Sequence, residues 1–224
     1  SDEGIFGADS IQVAMMDYGR MPKDAQARRV ISRKLCESNH AFEQAIWDGN
    51  FRHTEIGCLD AAYSGVGGDR TPFLHLRMGR LVTGTMALAV MGGPIIVPVS
   101  DKGAEPTDQI ALFVKTLCEE RNIPPEHLFY DGTGRSSLTS SFARLWSPFV
   151  VPIEFGGKPT NRPLGKTADC SKRFKKFVSE LWFATADLIG AGQLRQLPES
   201  VAEEGYLRAW DLFDGGFQDV EPKD

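Results

Sequence analysis

The chain has 224 residues, 42% of them hydrophobic, and a formal net charge of -5, which is enough apolar material for one large domain, or for a domain with a helical appendage, and excludes a protein that is basic throughout. Binding to nucleic acid stays open, because it needs only a local basic face. Cys36, Cys58, Cys118 and Cys170 are far apart and never form a CxxC pair, which excludes a zinc knuckle and a disulfide framework and fits a reducing, cytoplasmic setting.

Residues 1–50 read as helical. Asp9 or Ser10 can cap a helix over 11–18, and Pro22 stands ahead of a second helix over 25–35. Arg28, Arg29, Arg33 and Lys34 crowd part of that second helix, either as a solvated face or as a contact for DNA or a neighbouring domain. The acidic N-terminus lacks the charged-then-apolar pattern of a leader. From Glu55 the pattern changes to strands. The first carries Asp60 in its middle, and residues 73–78 and 81–90, separated by Gly79-Arg80, read as an antiparallel hairpin. Residues 81–100 carry no charge, yet Gly84, Gly92, Gly93, Pro94 and Pro98 interrupt them, so they read as paired strands and not as a membrane span.

Pro106-Thr107-Asp108 opens a helix over 106–121 with Ile110, Phe113, Val114 and Leu117 on one face. A strand over 127–131 (HLFYD), a helix over 136–146 and a strand over 149–155 follow. Three antiparallel strands, a crossover helix, a strand, a helix and a strand give an α/β fold with a mixed five-stranded sheet flanked by helices, preceded by an N-terminal helical extension. This is the order of a ribonuclease H-like fold, in which the first and fourth strands lie side by side. After a loop over 156–169 the pattern predicts one helix over 171–189, then a helix near 200–213 and an irregular end.

The chemistry concentrates in carboxylates. Asp60 stands in the run GCLDAAYSGVGGDRT (57–71), and Asp69 follows in its glycine loop. Asp131 closes the later strand and is followed by Gly132-Thr133-Gly134. Acidic groups brought together repel one another, and a divalent cation is the usual relief. Each aspartate alone could equally cap a turn or a helix; Asp60 and Asp131 at matched strand positions, each followed by small residues, read as a metal pair, with Asp69 as a ligand or a supporting group. His40, His53, His75 and His127 are scattered and form no zinc site. Gly165-Lys166-Thr167 lacks the earlier glycine of a phosphate-binding P-loop, since Thr160 stands there. Lys158, Arg162, Lys166, Lys172, Arg173, Lys175 and Lys176 form a dense basic run around Asp169, which is either a phosphate-tracking surface or a solvated loop and helix end.

With LDAAYSGVGGDRT, HLFYDGTGRSS, VVPIEFGGKPTN and SKRFKKFVSELW in that order, the chain from about Glu55 onward resembles the C-terminal nuclease domain of a tailed-phage terminase large subunit. The resemblance implies a metal-dependent endonuclease that cuts concatemeric viral DNA during genome packaging with two Mg²⁺ or Mn²⁺ ions. It places Asp60 as the first-strand ligand, Asp69 as the acidic residue of the glycine loop and Asp131 as the fourth-strand ligand. It further implies double-stranded DNA, a terminase ATPase domain, a small terminase subunit and a portal protein as partners, no membrane, and the host cytoplasm as location.

Two departures accompany the resemblance. The family's third aspartate usually lies in a segment resembling SPDxxDAL, and this chain stops at VEPKD, so residues 55–224 are expected to be a nuclease domain shortened at its C-terminus. Asp211, Asp214, Asp219 and Asp224 are fallback candidates for that ligand. The ATPase domain is absent, and residues 1–54 are expected to be a helical extension or a motor–nuclease linker. Two rival readings remain: an actin-like nucleotide hydrolase using Asp131-Gly132-Thr133-Gly134, and a DNA-holding or portal-docking module with an incomplete acidic site.

Overall fold

The computed structural model describes residues 28–61, 70–100, 102–134, 136–165, 168–213 and 215–220. The helix expected over 11–18, Asp69, Lys166, Asp214 and Asp224 lie outside them. In chain order the elements are β1 (Arg28–Arg29), α1 (Arg33–Ser38), β2 (Thr54–Leu59), β3 (Pro72–Arg80), β4 (Met86–Val90), β5 (Ile95–Ile96) and α2 (Pro106–Glu120). Then come β6 (Leu128–Asp131), α3 (Ser136–Leu145), β7 (Val151–Ile153), α4 (Cys170–Arg173), α5 (Phe177–Gly190), β8 (Leu194–Arg195), α6 (Glu199–Tyr206), β9 (Ala209–Phe213) and β10 (Phe217–Val220).

The larger sheet has the order β7-β6-β2-β3-β4-β8, with β5 paired to β3. β2, β3 and β4 are antiparallel neighbours, β6 runs parallel to β2, and β7 runs parallel to β6. This is the expected ribonuclease H-like mixed sheet, with β5 and β8 as additions. Those two strands are two residues each, too short to leave a period in the sequence.

Side chains alternate across the sheet, so paired residues share a face. Leu59, Phe73, Leu128 and Tyr130 pack on one side against Ile110 and Val114 of α2 and Leu138 and Phe142 of α3. The amphipathic pattern read for 106–121 is therefore the packing face of α2. On the other side Leu88 and Leu194 join a second cluster with Ile189 of α5 and with Val30, Ile31 and Cys36, so residues 30–36 belong to this layer.

Several boundaries differ from the sequence reading: β2 ends at Leu59, so Asp60 stands just past the strand and not in its middle. Arg28 and Arg29 are a strand, paired with Trp210 and Ala209, and the helix begins only at Arg33, where the Ser32 hydroxyl accepts the Leu35 N–H at 3.2 Å. The hairpin does not turn at Gly79-Arg80. β3 runs through both residues, and the chain reverses over 81–85, where the Leu81 N–H reaches the Thr85 carbonyl at 2.8 Å. Gly79 serves close packing: a Cβ there would stand 2.5 Å from His53 Cδ2.

The helix expected over 171–189 is two helices, α4 and α5. Between them Phe174 is buried and bridges Gln218, and the Lys175 N–H bonds the Gln218 carbonyl at 3.1 Å. The helix expected over 200–213 stops at Tyr206. Residues 209–213 form β9 instead, and the expected irregular end contains β10, in register from Phe217↔Phe213 to Val220↔Trp210. In both places a partner remote in sequence supplies the hydrogen bonds that local propensity would have put into a helix. Among the described residues no helix is long and apolar enough to cross a membrane.

Candidate active site

β2 and β6 pair in parallel through Gly57↔Leu128, Cys58↔Phe129 and Leu59↔Tyr130. Asp60 and Asp131 follow one residue later on their two strands, at the same level and, by alternation, on the face opposite Leu59 and Tyr130. Neighbouring strands lie about 4.8 Å apart, so carboxylates placed this way are close enough to share a cation. Asp60 is exposed, and its N–H bonds the Pro72 carbonyl at 3.1 Å, which anchors the end of β2 to β3. Asp131 is half-buried, and its Oδ1 accepts the Thr133 N–H at 3.0 Å.

The residue after Asp131 is a glycine for a steric reason. A Cβ on Gly132 would stand 2.6 Å from Pro152 Cβ on β7, while the Gly132 N–H bonds the Ile153 carbonyl at 2.9 Å. The small residues after each aspartate therefore matter at least here by letting the adjacent strand approach. The donor chemistry fits a hard divalent cation, since carboxylate oxygens are its preferred ligands. Among the described residues no group of three or more His, Cys, Asp or Glu side chains is placed to hold a metal. Asp69 lies outside them.

Of the fallback aspartates, Asp219 is buried at 3% exposure. Its Oδ1 accepts the Ser179 hydroxyl at 2.7 Å, and its Oδ2 lies 3.5 Å from Lys176 Nζ and 4.0 Å from Lys175 Nζ. Asp211 is exposed, and its Oδ1 accepts the Leu212 N–H at 2.8 Å.

The basic run divides into members with different surroundings. Arg173 Nε donates to Gln218 Oε1 at 2.8 Å, and its guanidinium lies over the Phe174 and Phe183 rings, 4.9 and 5.4 Å from their centroids. Lys175 and Lys176 face Asp219, and Lys172 lies 3.6 Å from Asp169 with its side chain exposed. Lys158 and Arg162 are exposed on the loop before α4, without an ion-pair partner among the described residues. Glu180, missed in the sequence, is buried at 9% exposure and accepts both the N–H and the hydroxyl of Thr160, at 2.6 and 2.7 Å. Its only sequence signal was an acid in the first turn of an otherwise apolar helix.

The strand order, the crossover helices and the carboxylate-bearing strand ends define an α/β protein of ribonuclease H-like fold. Within that class the fold is the one seen in large-terminase nuclease domains. A mutant nuclease domain of the large terminase subunit gp2 of bacterial virus Sf6, with manganese, superposes at a TM-score of 0.54 with 12% identity, covering 87% of this chain and 88% of that one. The large terminase nuclease from thermophilic phage G20c superposes at 0.47 with 13% identity over 85% of this chain and 87% of that one. The same nuclease with bound magnesium gives 0.45 with 14% identity over 89% and 90%. No family model and no curated protein matches this sequence.

Proposed function

We propose that the chain is a divalent-metal-dependent DNA endonuclease, the nuclease module of a phage packaging motor that cuts concatemeric viral DNA. The observation that carries this reading is the placement of Asp60 and Asp131 at the same level on adjacent parallel strands, on the sheet face away from the main core. The fold shared with a terminase nuclease domain described with manganese supports it.

Asp60 and Asp131 would hold Mg²⁺ or Mn²⁺ in a two-ion arrangement, with Asp69 contributing from its loop. When bound, such ions lower the pKa of a water that becomes the nucleophile and stabilise the leaving oxygen of a phosphodiester. The protein's part is to keep the donors oriented and close. Its bond to the Thr133 N–H fixes the Asp131 carboxylate, and the Pro72 carbonyl holds the Asp60 backbone. Lys158, Arg162 and Lys172, all exposed, are the cations we assign to the DNA backbone.

Cleavage of supercoiled plasmid in Mg²⁺ or Mn²⁺ tests the proposal. The unaltered chain is expected to nick and linearise plasmid, and Asp60→Asn and Asp131→Asn are each expected to abolish cutting, since the amide keeps the shape but removes the charge. Cutting that survives both changes would sink the assignment. A second reading is a DNA-holding module that does not cut. DNA binding that persists in chelator, with no cutting under any metal, would select it.

A further inference from the structure

The loop between β7 and α4 is closed at its neck by specific hydrogen bonds. The Ser171 N–H bonds the Thr160 carbonyl at 2.8 Å, the Cys170 N–H bonds the Arg162 carbonyl at 2.9 Å, and Pro163 bridges Asp169 in antiparallel fashion. α5 holds the near side of the loop: its Phe177 N–H bonds the Gly157 carbonyl at 2.8 Å and its Val178 N–H bonds the Phe155 carbonyl at 3.0 Å. One turn into the same helix, the buried Glu180 carboxylate takes both donors of Thr160. The Thr160 hydroxyl oxygen in turn accepts the Arg162 N–H at 3.3 Å. Burial first, and the neighbouring Glu180 charge second, push the Cys170 thiol up from its usual range, so the group beside Glu180 stays neutral.

This clamp fixes the backbone that carries two exposed cations. Lys158 lies between two pinned points, Gly157 and Thr160, and Arg162 follows Thr160 by two residues with its N–H and carbonyl both engaged. A buried, ionised carboxylate is costly unless its hydrogen bonds are made, and here a backbone donor and a hydroxyl make them. A loop that merely needed closing could do so with backbone bonds alone. The extra buried acid adds rigidity where two cations stand.

We infer that Glu180 is a positioning residue for DNA: by clamping Thr160 it presents Lys158 and Arg162 as a preorganised pair of phosphate contacts. This inference rests on the reading of double-stranded DNA as the substrate. It also makes a prediction of unusual sign. Glu180 is itself an anion beside a basic loop, so its charge alone disfavours DNA, and a charge-only role means that removing it tightens binding. A clamp role means that removing it weakens binding, because the two cations lose their fixed positions.

Fluorescence anisotropy of a labelled duplex, titrated with the full chain in chelator at several salt concentrations, decides between them. Lys158→Ala with Arg162→Ala is expected to flatten the plot of log affinity against log salt by about 2, one phosphate contact each. Glu180→Ala is expected to weaken binding by roughly 10-fold at low salt and to flatten the same plot by about 1 to 2. Glu180→Gln, which can still accept the Thr160 N–H, is expected to bind at least as well as the unaltered chain. Thr160→Val provides a milder variant should Glu180→Ala fail to fold, with an intermediate loss expected.

A merely structural role would lower the melting temperature without changing the salt slope of protein that is still folded. Unchanged or tighter binding by folded Glu180→Ala and Thr160→Val overturns the inference. So does an unchanged slope in the Lys158, Arg162 double variant. If the unaltered chain binds no duplex at any salt concentration, the functional reading itself falls, and the inference with it.

Discussion

Ser179 and Asp219, forty residues apart, meet in the interior across 2.7 Å, the serine hydroxyl donating to Oδ1. The same serine oxygen accepts the Val220 N–H at 3.0 Å. One hydroxyl therefore satisfies a buried carboxylate and a buried backbone donor, and it ties β10 to the first turn of α5. Its neighbour Glu180 ties the basic loop to that turn, so two consecutive residues hold both segments that flank the helix.

Ser179→Ala strands the Asp219 oxygen and the Val220 N–H together. Unsatisfied buried polar groups cost about 1–3 kcal/mol each, so the loss for the two is expected to be about 2–6 kcal/mol. Asp219→Asn keeps an acceptor for the serine and is expected to cost less. The midpoint of urea unfolding measures both. A Ser179→Ala protein that unfolds at the unaltered midpoint would show that the joint contributes nothing.

Gly132→Ala tests how tightly the strand carrying Asp131 is held. The new methyl would meet the rigid ring of Pro152 at 2.6 Å, so either β7 moves or the end of β6 does. Overpacking of this kind costs about 1–3 kcal/mol. The expected outcome is a lower melting temperature together with plasmid cleavage reduced more than 10-fold in the protein that remains folded, because Asp131 shifts with the backbone. Full cleavage by Gly132→Ala would mean that the carboxylate position tolerates the displacement.

The sheet and its carboxylates were legible because both rest on local patterns. HLFYD is a brief apolar run closed by an abrupt charge, and the glycines after Asp60 mark a break in the strand pattern, although β2 ends one residue before Asp60 and not beyond it. Parallel pairing of β2 with β6 followed from the helix between them and from handed crossovers. The small sheet was not legible. β1 is two residues, and its partners Ala209 and Trp210 sit in a segment whose spacing also suits a helix. The basic run was legible as composition only: nothing in SKRFKKFVSELW says that Arg173 lies over Phe174 and Phe183 or that Lys176 faces a buried Asp219, since those partners come from other elements. Glu180 was hidden for the same reason.

Gly79→Ala is a second steric test, away from the carboxylates. Trp47 and His53 cross over this glycine, their ring centroids 5.0 Å apart, and a Cβ would meet His53 at 2.5 Å and Trp47 at 3.1 Å. A stability loss of about 1–3 kcal/mol is expected, with plasmid cleavage and DNA affinity unchanged, because β3 at that point is remote in sequence from its end near Asp60. A change in cleavage without a change in stability would instead connect this end of the hairpin to the site.

The cysteines give a prediction in pH. Burial pushes the Cys118 thiol up to about 12 and Cys58 up to about 11, and burial raises Cys36 and Cys170 as well. The folded protein therefore prefers these groups protonated. Their contribution to stability is fully present below the ordinary thiol range near 9, and it is lost as pH rises from there towards the raised values. Urea midpoints measured at pH 7.5, 9 and 10.5 should accordingly show a small thiol-linked fall over the first interval and a larger one over the second. At pH 8 an aromatic disulfide reagent should leave the buried Cys36, Cys118 and Cys170 unmodified in the native protein, with Cys58, partly exposed on β2, reacting slowly and first. All four should react within the mixing time once the chain is unfolded in denaturant. Rapid modification of a buried thiol in the native state would show that its surroundings open on the time scale of the assay and would remove the basis for the pH dependence.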